Sequence, residues 1–222
     1  LVGSEMCIRD RYFLRKIKVG RLVKGHEDFP VYVDSPLAKR ATTIFCGDLR
    51  GYLDEEALAL VQDGTHMFNF TNLRMTETSE ESKMLNMDPT PKVIISASGM
   101  CDAGRIRHHL KHNLWREECT ILFVGYQSVG TLGRALVEGA DEVKLFGETI
   151  QVRAQIRKLA GLSGHADKEG LIEWIQAFEE KPKKVFVVHG EDSACTAFTE
   201  CLKIEYGLVS YTHLRAHETD QY

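Results

Sequence analysis

Short apolar runs alternate with helical periodicities along most of the chain. Val31, Tyr32 and Val33 form a run that stops at Asp34-Ser35-Pro36, which predicts a strand ending in a turn. Residues 37–47 carry helical spacing. Asp54 stands ahead of EEALALVQ, where Leu58 and Val61 share a face, so a second helix capped by Asp54 is predicted. Residues 64–78 read as a polar connection with one short apolar island. Ser79 opens a helix through Met87. The β-branched run Val93-Ile94-Ile95-Ser96 marks a strand buried on both faces. A helix is predicted from about Arg105 to Trp115. A strand over 120–126 and a helix capped by Thr131 come next, then strands near 143–146 and 149–158. Asp167 caps a helix whose Leu171, Ile172, Ile175 and Phe178 form one stripe. Residues 185–188 (VFVV) are a strand, and Asp192 or Ser193 caps the last helix.

This alternation predicts an α/β fold, a largely parallel sheet with helices on both faces. In such sheets ligands sit beyond the carboxyl ends of the strands. Asp34, Ser96 to Ser98, Gly125 to Gly130 and His189 all occupy strand-to-helix turns, so function is expected there. The chain has no internal repeat and no low-complexity segment.

The two ends of the 222-residue chain stand apart. LVGSEMCIRDR at the start and VSYTHLRAHET near the finish back-translate to complementary DNA, which resembles a transposon-library sequencing adapter read in both directions. Residues 1–11 and 209–222 are therefore expected to be adapter-derived, with Leu208 at the edge of that tail, and they are set aside from fold reasoning. The natural protein is expected to extend beyond this chain, at least upstream. The remaining 197 residues carry 25 basic and 28 acidic side chains, so bulk charge does not hold this protein on nucleic acid. Any such contact has to be local. No run of eighteen apolar residues exists, so no membrane span is expected, and no signal peptide is expected either. Cys46, Cys101, Cys119, Cys195 and Cys201 are an odd set without paired spacing, as in a reduced, cytoplasmic protein.

Two histidines attract attention. His189 ends a predicted buried strand and precedes Gly190, a rigid and open mount for a metal ligand. An imidazole hydrogen-bonded to a neighbouring loop explains the same position. His165 lies two residues before the Asp167 cap, in GLSGHADKEGL. An imidazole there suits a general acid, and Ser163 with the free amides of the helix start suits a phosphate. A plain Ser-Gly turn into a capped helix is the alternative.

Other motifs are weaker. GYQSVGT (125–131) has phosphate-loop glycine spacing, but Thr131 stands where the lysine must be, and the nucleotide reading fails. Its glycines either cradle a phosphate through amides or serve tight strand-to-helix packing. His108 and His112 share a helical face at zinc-binding spacing, but His109 replaces the required glutamate, so this helix is read as partly exposed. The small residues from Ser98 to Gly104 let a ligand approach closely, or simply turn. Arg105 and Arg134 each begin a helix, against its dipole, which hints at a nearby anion.

Four segments together resemble one family. They are PVYVDSPLA (30–38), KVIISASGMCDAGRIRHHL (92–110), FVGYQSVGTLGRAL (123–136) with LSGHAD (162–167), and VFVVHGE (185–191). In order and spacing they are similar to the carboxyl-terminal half of a β-CASP metallo-β-lactamase-fold RNA hydrolase, over about 12–207. The resemblance implies that 12–160 is a β-CASP domain, incomplete at its start, and that 161–207 is a partial metallo-β-lactamase αββα segment. It implies a zinc-dependent ribonuclease acting in RNA processing or decay, with two Zn2+ ions. The zinc pair so implied, with His189 among its ligands, would supply an activated hydroxide as nucleophile and stabilise the charge developing on the phosphate. His165 falls on a motif histidine that binds the scissile phosphate and protonates the leaving 3′ oxygen, Ser163 on a phosphate-contacting serine, and His189 on a zinc ligand. Ser98 and Gly99, and Gly130 and Thr131, fall on the wall of the RNA cleft. Members often dimerise, so a homodimer is an expectation carried by the resemblance alone.

The family's HxHxDH signature is absent from these 222 residues. With His189 as the one zinc ligand present, the chain by itself is expected to be inactive. Two other functions compete: a non-catalytic RNA-binding paralogue acting as a scaffold, and an α/β domain for a small phosphorylated ligand. The retained His165 and His189 weigh against the first, and the missing phosphate-loop lysine against the second.

Overall fold

The computed structural model describes residues 13–25, 28–45, 47, 51–52, 55, 58–59, 70–159 and 165–212. The chain divides into two compact units between Ser163 and Gly164. The first unit opens with a helix over 13–19 (α1). It continues with β1 (Val31–Asp34), α2 (Pro36–Phe45), β2 (Leu73–Met75), α3 (Ser79–Met87), β3 (Val93–Ser96), α4 (Ile106–Asn113), β4 (Thr120–Phe123), α5 (Leu132–Val137), β5 (Glu142–Leu145), β6 (Glu148–Gln151) and β7 (Gln155–Lys158). The second unit holds α6 (Lys168–Gln176), β8 (Val185–Phe186), α7 (Asp192–Ile204) and β9 (Ser210–Tyr211). The Asp54-capped helix falls mostly outside the described residues.

The α/β class and the parallel pairing are present, distributed over several sheets. β1 lies centrally in a three-stranded parallel sheet of order β2-β1-β3. Its Val31 and Val33 are buried with Ala38 and Ile95, as β-branched side chains on a covered strand should be. Leu73–Met75, within the stretch read from sequence as a polar connection, pairs with all of Val31–Val33. Three residues show too little alternation to reveal a strand, and here pairing partners decide. A second core gathers Cys101, Leu110, Leu114, Phe123, Leu136, Val143 and Leu145 around the parallel pair β4-β7 and the hairpin β5-β6. Phe146 and Gly147 join the hairpin, both at positive φ (52° and 83°), which matches the twist of the flanking strands. The single strand expected near 149–158 is two strands. Between them, Val152 bonds back to Asp141, while Arg153 and Ala154 donate to the Leu114 carbonyl, ending one ladder before the next begins.

In the second unit, α6 buries Ile172 and Ile175 but leaves Leu171 40 % and Trp174 63 % exposed, and Phe178, just past its end, is 48 % exposed. The four-residue stripe is therefore split between two faces. α7 starts with Glu191 at its N-cap without a side-chain bond, rather than with Asp192 or Ser193; Asp192 instead sits in the first turn, where its charge suits the helix dipole. β9 falls in the stretch set aside as adapter-derived. Ser210 nevertheless is fully buried, donates to the Thr199 carbonyl at 2.8 Å, and pairs with Val185.

Candidate functional site

The carboxyl end of β1 is a buried charged knot. Asp34 is fully buried. It accepts hydrogen bonds from Ser82 Oγ (2.5 Å), Arg105 Nη1 (2.5 Å), His109 Nε2 (2.6 Å) and Thr76 Oγ1. Burial pushes the Asp34 carboxyl up, but the bonds from His109, Ser82, Thr76 and Arg105 outweigh it and hold the group well below the usual carboxylate range. These partners come from the end of β2, from α3 and from α4. His109 Nδ1 lies 2.8 Å from Asn86 Oδ1, and Asn113 Nδ2 donates to that same oxygen at 3.0 Å. Arg105 Nη2 also donates to the Glu77 carbonyl at 3.3 Å. The anion hinted at by Arg105 is thus a carboxylate of the protein itself. Arg134 likewise meets Glu138, at 2.5 Å.

Sequence reasoning missed His109. The sequence marks it only as standing where a zinc-binding helix needs glutamate, on a partly exposed helix; it is buried, while His108 and His112 are exposed and His108 stacks on Phe146 at 4.5 Å between ring centroids. The signal was available. Ile106, Leu110 and Leu114 mark the inward stripe of α4, and His109 and Asn113 fall on it.

The knot anchors a tight turn. Arg105 precedes α4, and the chain reaches it from β3 through Ser98-Gly99-Met100. Gly104 has φ +81°, and a Cβ there would come within 2.4 Å of the Ala97 carbonyl oxygen. Only glycine closes this turn. Ser98 N–H donates to Ala103 O and Cys101 N–H to Ser98 O. The second glycine-rich turn, 125–131, is fastened to the first. Leu132 N–H donates to Asp102 Oδ1 (3.0 Å), Gly133 N–H to Met100 O (3.0 Å) and Arg134 N–H to Thr131 Oγ1 (3.2 Å). The Thr131 hydroxyl in turn donates to the Ser128 carbonyl (2.7 Å). Thr131 caps α5 as expected, and the amides that open the helix are engaged within the protein. Ser98 and Gly99 are half-buried and Gly130 is exposed.

The second unit brings the two candidate histidines together. His165 lies just before the Asp167 cap, whose carboxylate accepts from Gly170 N–H at 2.8 Å. His189 follows β8 in a left-handed conformation, φ 66°. Their ring centroids are 6.1 Å apart at a tilt of 39°. Both side chains are exposed. The separation suits two imidazoles flanking one small ligand. Ser163 lies outside the described residues. Among the described residues, no three His, Cys, Asp or Glu side chains gather as a metal site, so this donor set does not make up a zinc centre.

Comparison with known proteins fits these features. Residues 11–136 match the family model of the Beta-Casp domain, and residues 149–214 that of the Zn-dependent metallo-hydrolase RNA specificity domain. The chain is 37 % identical over 175 residues to ribonuclease TTHA0252 of Thermus thermophilus, covering 79 % of this chain and 39 % of that protein. It is 33 % identical over 186 residues to transcription termination factor FttA of Methanocaldococcus jannaschii, covering 81 % of this chain and 29 % of the relative. An RNase J-like protein of the same archaeon is 31 % identical over 175 residues, covering 79 % of this chain and 38 % of its own length. The chain thus spans well under half the length of these relatives. With the Beta-Casp match covering more than half of its residues and an RNA specificity domain following it, the chain belongs to the β-CASP family of metallo-β-lactamase-fold RNA hydrolases.

Proposed function

We propose that this chain is part of a zinc-dependent ribonuclease that hydrolyses RNA phosphodiester bonds in RNA processing or decay. The approach of His165 and His189, 6.1 Å between ring centroids, carries the reading. Two imidazoles on one small patch suit a phosphodiester, one ring binding the phosphate and returning a proton to the leaving oxygen, the other left for a metal. In this reading His165 is the proton donor, Ser163 a phosphate contact and His189 a ligand of one of two zinc ions. Residues 12–160 are the β-CASP domain and 161–207 the returning part of the lactamase-fold domain. Ser98 and Gly99 in one turn, and Gly130 and Thr131 in the other, contact the RNA backbone. Cys101, Cys119, Cys195 and Cys201 are free thiols, which supports a cytoplasmic setting. No helix among the described residues is long and apolar enough to cross a membrane.

One imidazole does not hold a zinc pair, so this chain alone is proposed to lack activity. In the longer protein that carries the segment, His189→Ala loses zinc and activity together. His165→Ala keeps its zinc and loses about 10²–10⁴-fold in rate, the range for a general acid. Zinc content by elemental analysis and cleavage of a labelled RNA read both. Full zinc and full rate in both variants would refute the assignment, and zinc-dependent cleavage by the 222-residue chain would refute its inactivity on its own.

A further inference from the structure

One buried side chain, Gln127, orients the Gly99–Met100 peptide. Gln127 is 4 % exposed. Its Nε2 donates to the carbonyls of Gly99 (3.0 Å), Tyr126 (3.1 Å) and Gly125 (3.3 Å). Three carbonyl oxygens around one atom fix which end of the amide is nitrogen. The other end, Oε1, has no hydrogen-bond partner, and it occupies the space beside Gly133, where a Cβ would come within 1.8 Å of it. Position 133 is glycine because the Gln127 amide takes the place of its side chain. Gly133 N–H then binds the Met100 carbonyl. The carbonyls of both Gly99 and Met100 are thereby drawn toward residues 127–133.

A trans peptide sets its C=O and N–H on opposite sides. With the Gly99 carbonyl turned onto Gln127, the Met100 N–H points away from it. Among the described residues, the Met100 amide, the Gly99 amide and the Ser98 hydroxyl make no hydrogen bond within the protein. Met100 is 37 % exposed. The turn therefore holds its partial negative charges inward and leaves donors outward, the polarity an anion requires. We propose that Gln127 is a positioning residue that presents the Met100 amide and the Ser98 hydroxyl to a non-bridging oxygen of an RNA phosphodiester. Gln127 itself touches no RNA. The inference rests on the RNA hydrolase reading and assigns the donor group within it.

The test uses the 222-residue chain, isotope-labelled, titrated with a single-stranded RNA decamer and followed by amide NMR. In the wild type the Met100 amide shifts on binding. Gln127→Glu removes the donor and sets a carboxylate against three carbonyls. Gly133→Ala evicts the same amide from the other side. Each weakens RNA binding about tenfold, roughly one charge-assisted hydrogen bond. Val143→Ala trims the neighbouring core, lowers the melting temperature and leaves RNA affinity unchanged, which separates positioning from general loss of stability. Binding of RNA with an unmoved Met100 amide overturns the inference and needs no variant. Wild-type affinity in both Gln127→Glu and Gly133→Ala also overturns it, as does an equal loss in Val143→Ala. No RNA binding by the wild-type chain overturns instead the RNA reading on which it rests.

Discussion

Replacing Asp34 by Asn tests the buried knot most directly. Asn keeps the volume but removes the charge, and its amide nitrogen must face at least one of the four donors that now point at a carboxylate. Arg105, with 20 % of its side chain exposed, keeps its charge and loses its anion. Removing one partner of a buried ion pair costs about 3–5 kcal/mol. A domain has only about 5–15 kcal/mol in hand, so the loss is a large share of the total. Urea unfolding at neutral pH measures it, and an unchanged m-value shows that the same structure unfolds. The pH dependence gives an independent check. The folded-state pKa of Asp34 is depressed, so its stabilisation is complete above its unfolded value of about 3.9 and is lost as pH falls toward the folded value. The wild type therefore loses stability on acidification below about pH 4 more steeply than Asp34→Asn, whose curve lacks this contribution. Other carboxylates titrate in both proteins and cancel in the difference. A loss under about 1 kcal/mol at neutral pH, or parallel acid limbs, would refute the argument that the ionised carboxylate holds these elements together.

Gly104→Ala forces a side chain into φ +81° and against the Ala97 carbonyl, and should cost at least about 1–3 kcal/mol in urea unfolding; a neutral effect would mean the turn is not held as described. Cys101 is 2 % exposed, and burial, with the Asp102 charge, pushes its thiol up to about 12. It should resist iodoacetamide at pH 8 in the native chain and react in urea, as read by mass spectrometry; rapid native labelling would contradict this. Leu171 and Trp174 on α6 and Phe178 just beyond it are exposed, so amides in 165–207 should exchange with deuterium faster than those in 92–140; equal protection would count against the second unit being the less well packed.

Much of the fold was legible because its central strands are β-branched and three of its helices, α3, α5 and α6, are capped by short polar side chains. Thr131 and Asp167 make the cap bonds that their positions announce, and Ser79 opens α3 behind a Thr78–Glu81 capping box. The failures share a cause. β2 is three residues long, the 149–158 strand breaks at bonds to Leu114 and Asp141, and the α6 stripe divides by which neighbours are present. Each depends on a partner distant in sequence, which local periodicity does not encode.

The candidate site divides in the same way. His165 and His189 could be found because each sits at a position of known geometric use, a helix entry and a strand end. Gln127 could not, because a glutamine beside a glycine-rich turn looks like any solvent-facing polar residue until its three carbonyl partners are known. Arg105 shows the opposite error. An arginine at a helix start suggests an external anion, but here the anion is Asp34, buried by the same fold. In the proposed contact with RNA, that internal pairing bears on how a chain of net charge −4 meets a polyanion. With Arg105 committed to Asp34 and Arg134 bonded to Glu138, the donors left at the first turn among the described residues include the Gly99 and Met100 amides and the Ser98 hydroxyl. Such donors bind a phosphate by geometry rather than by long-range attraction, so the precision of the turn matters more than its charge. The charged knot below it and the Gln127 amide beside it both hold that precision, one through Arg105 and the other through the Gly99 carbonyl.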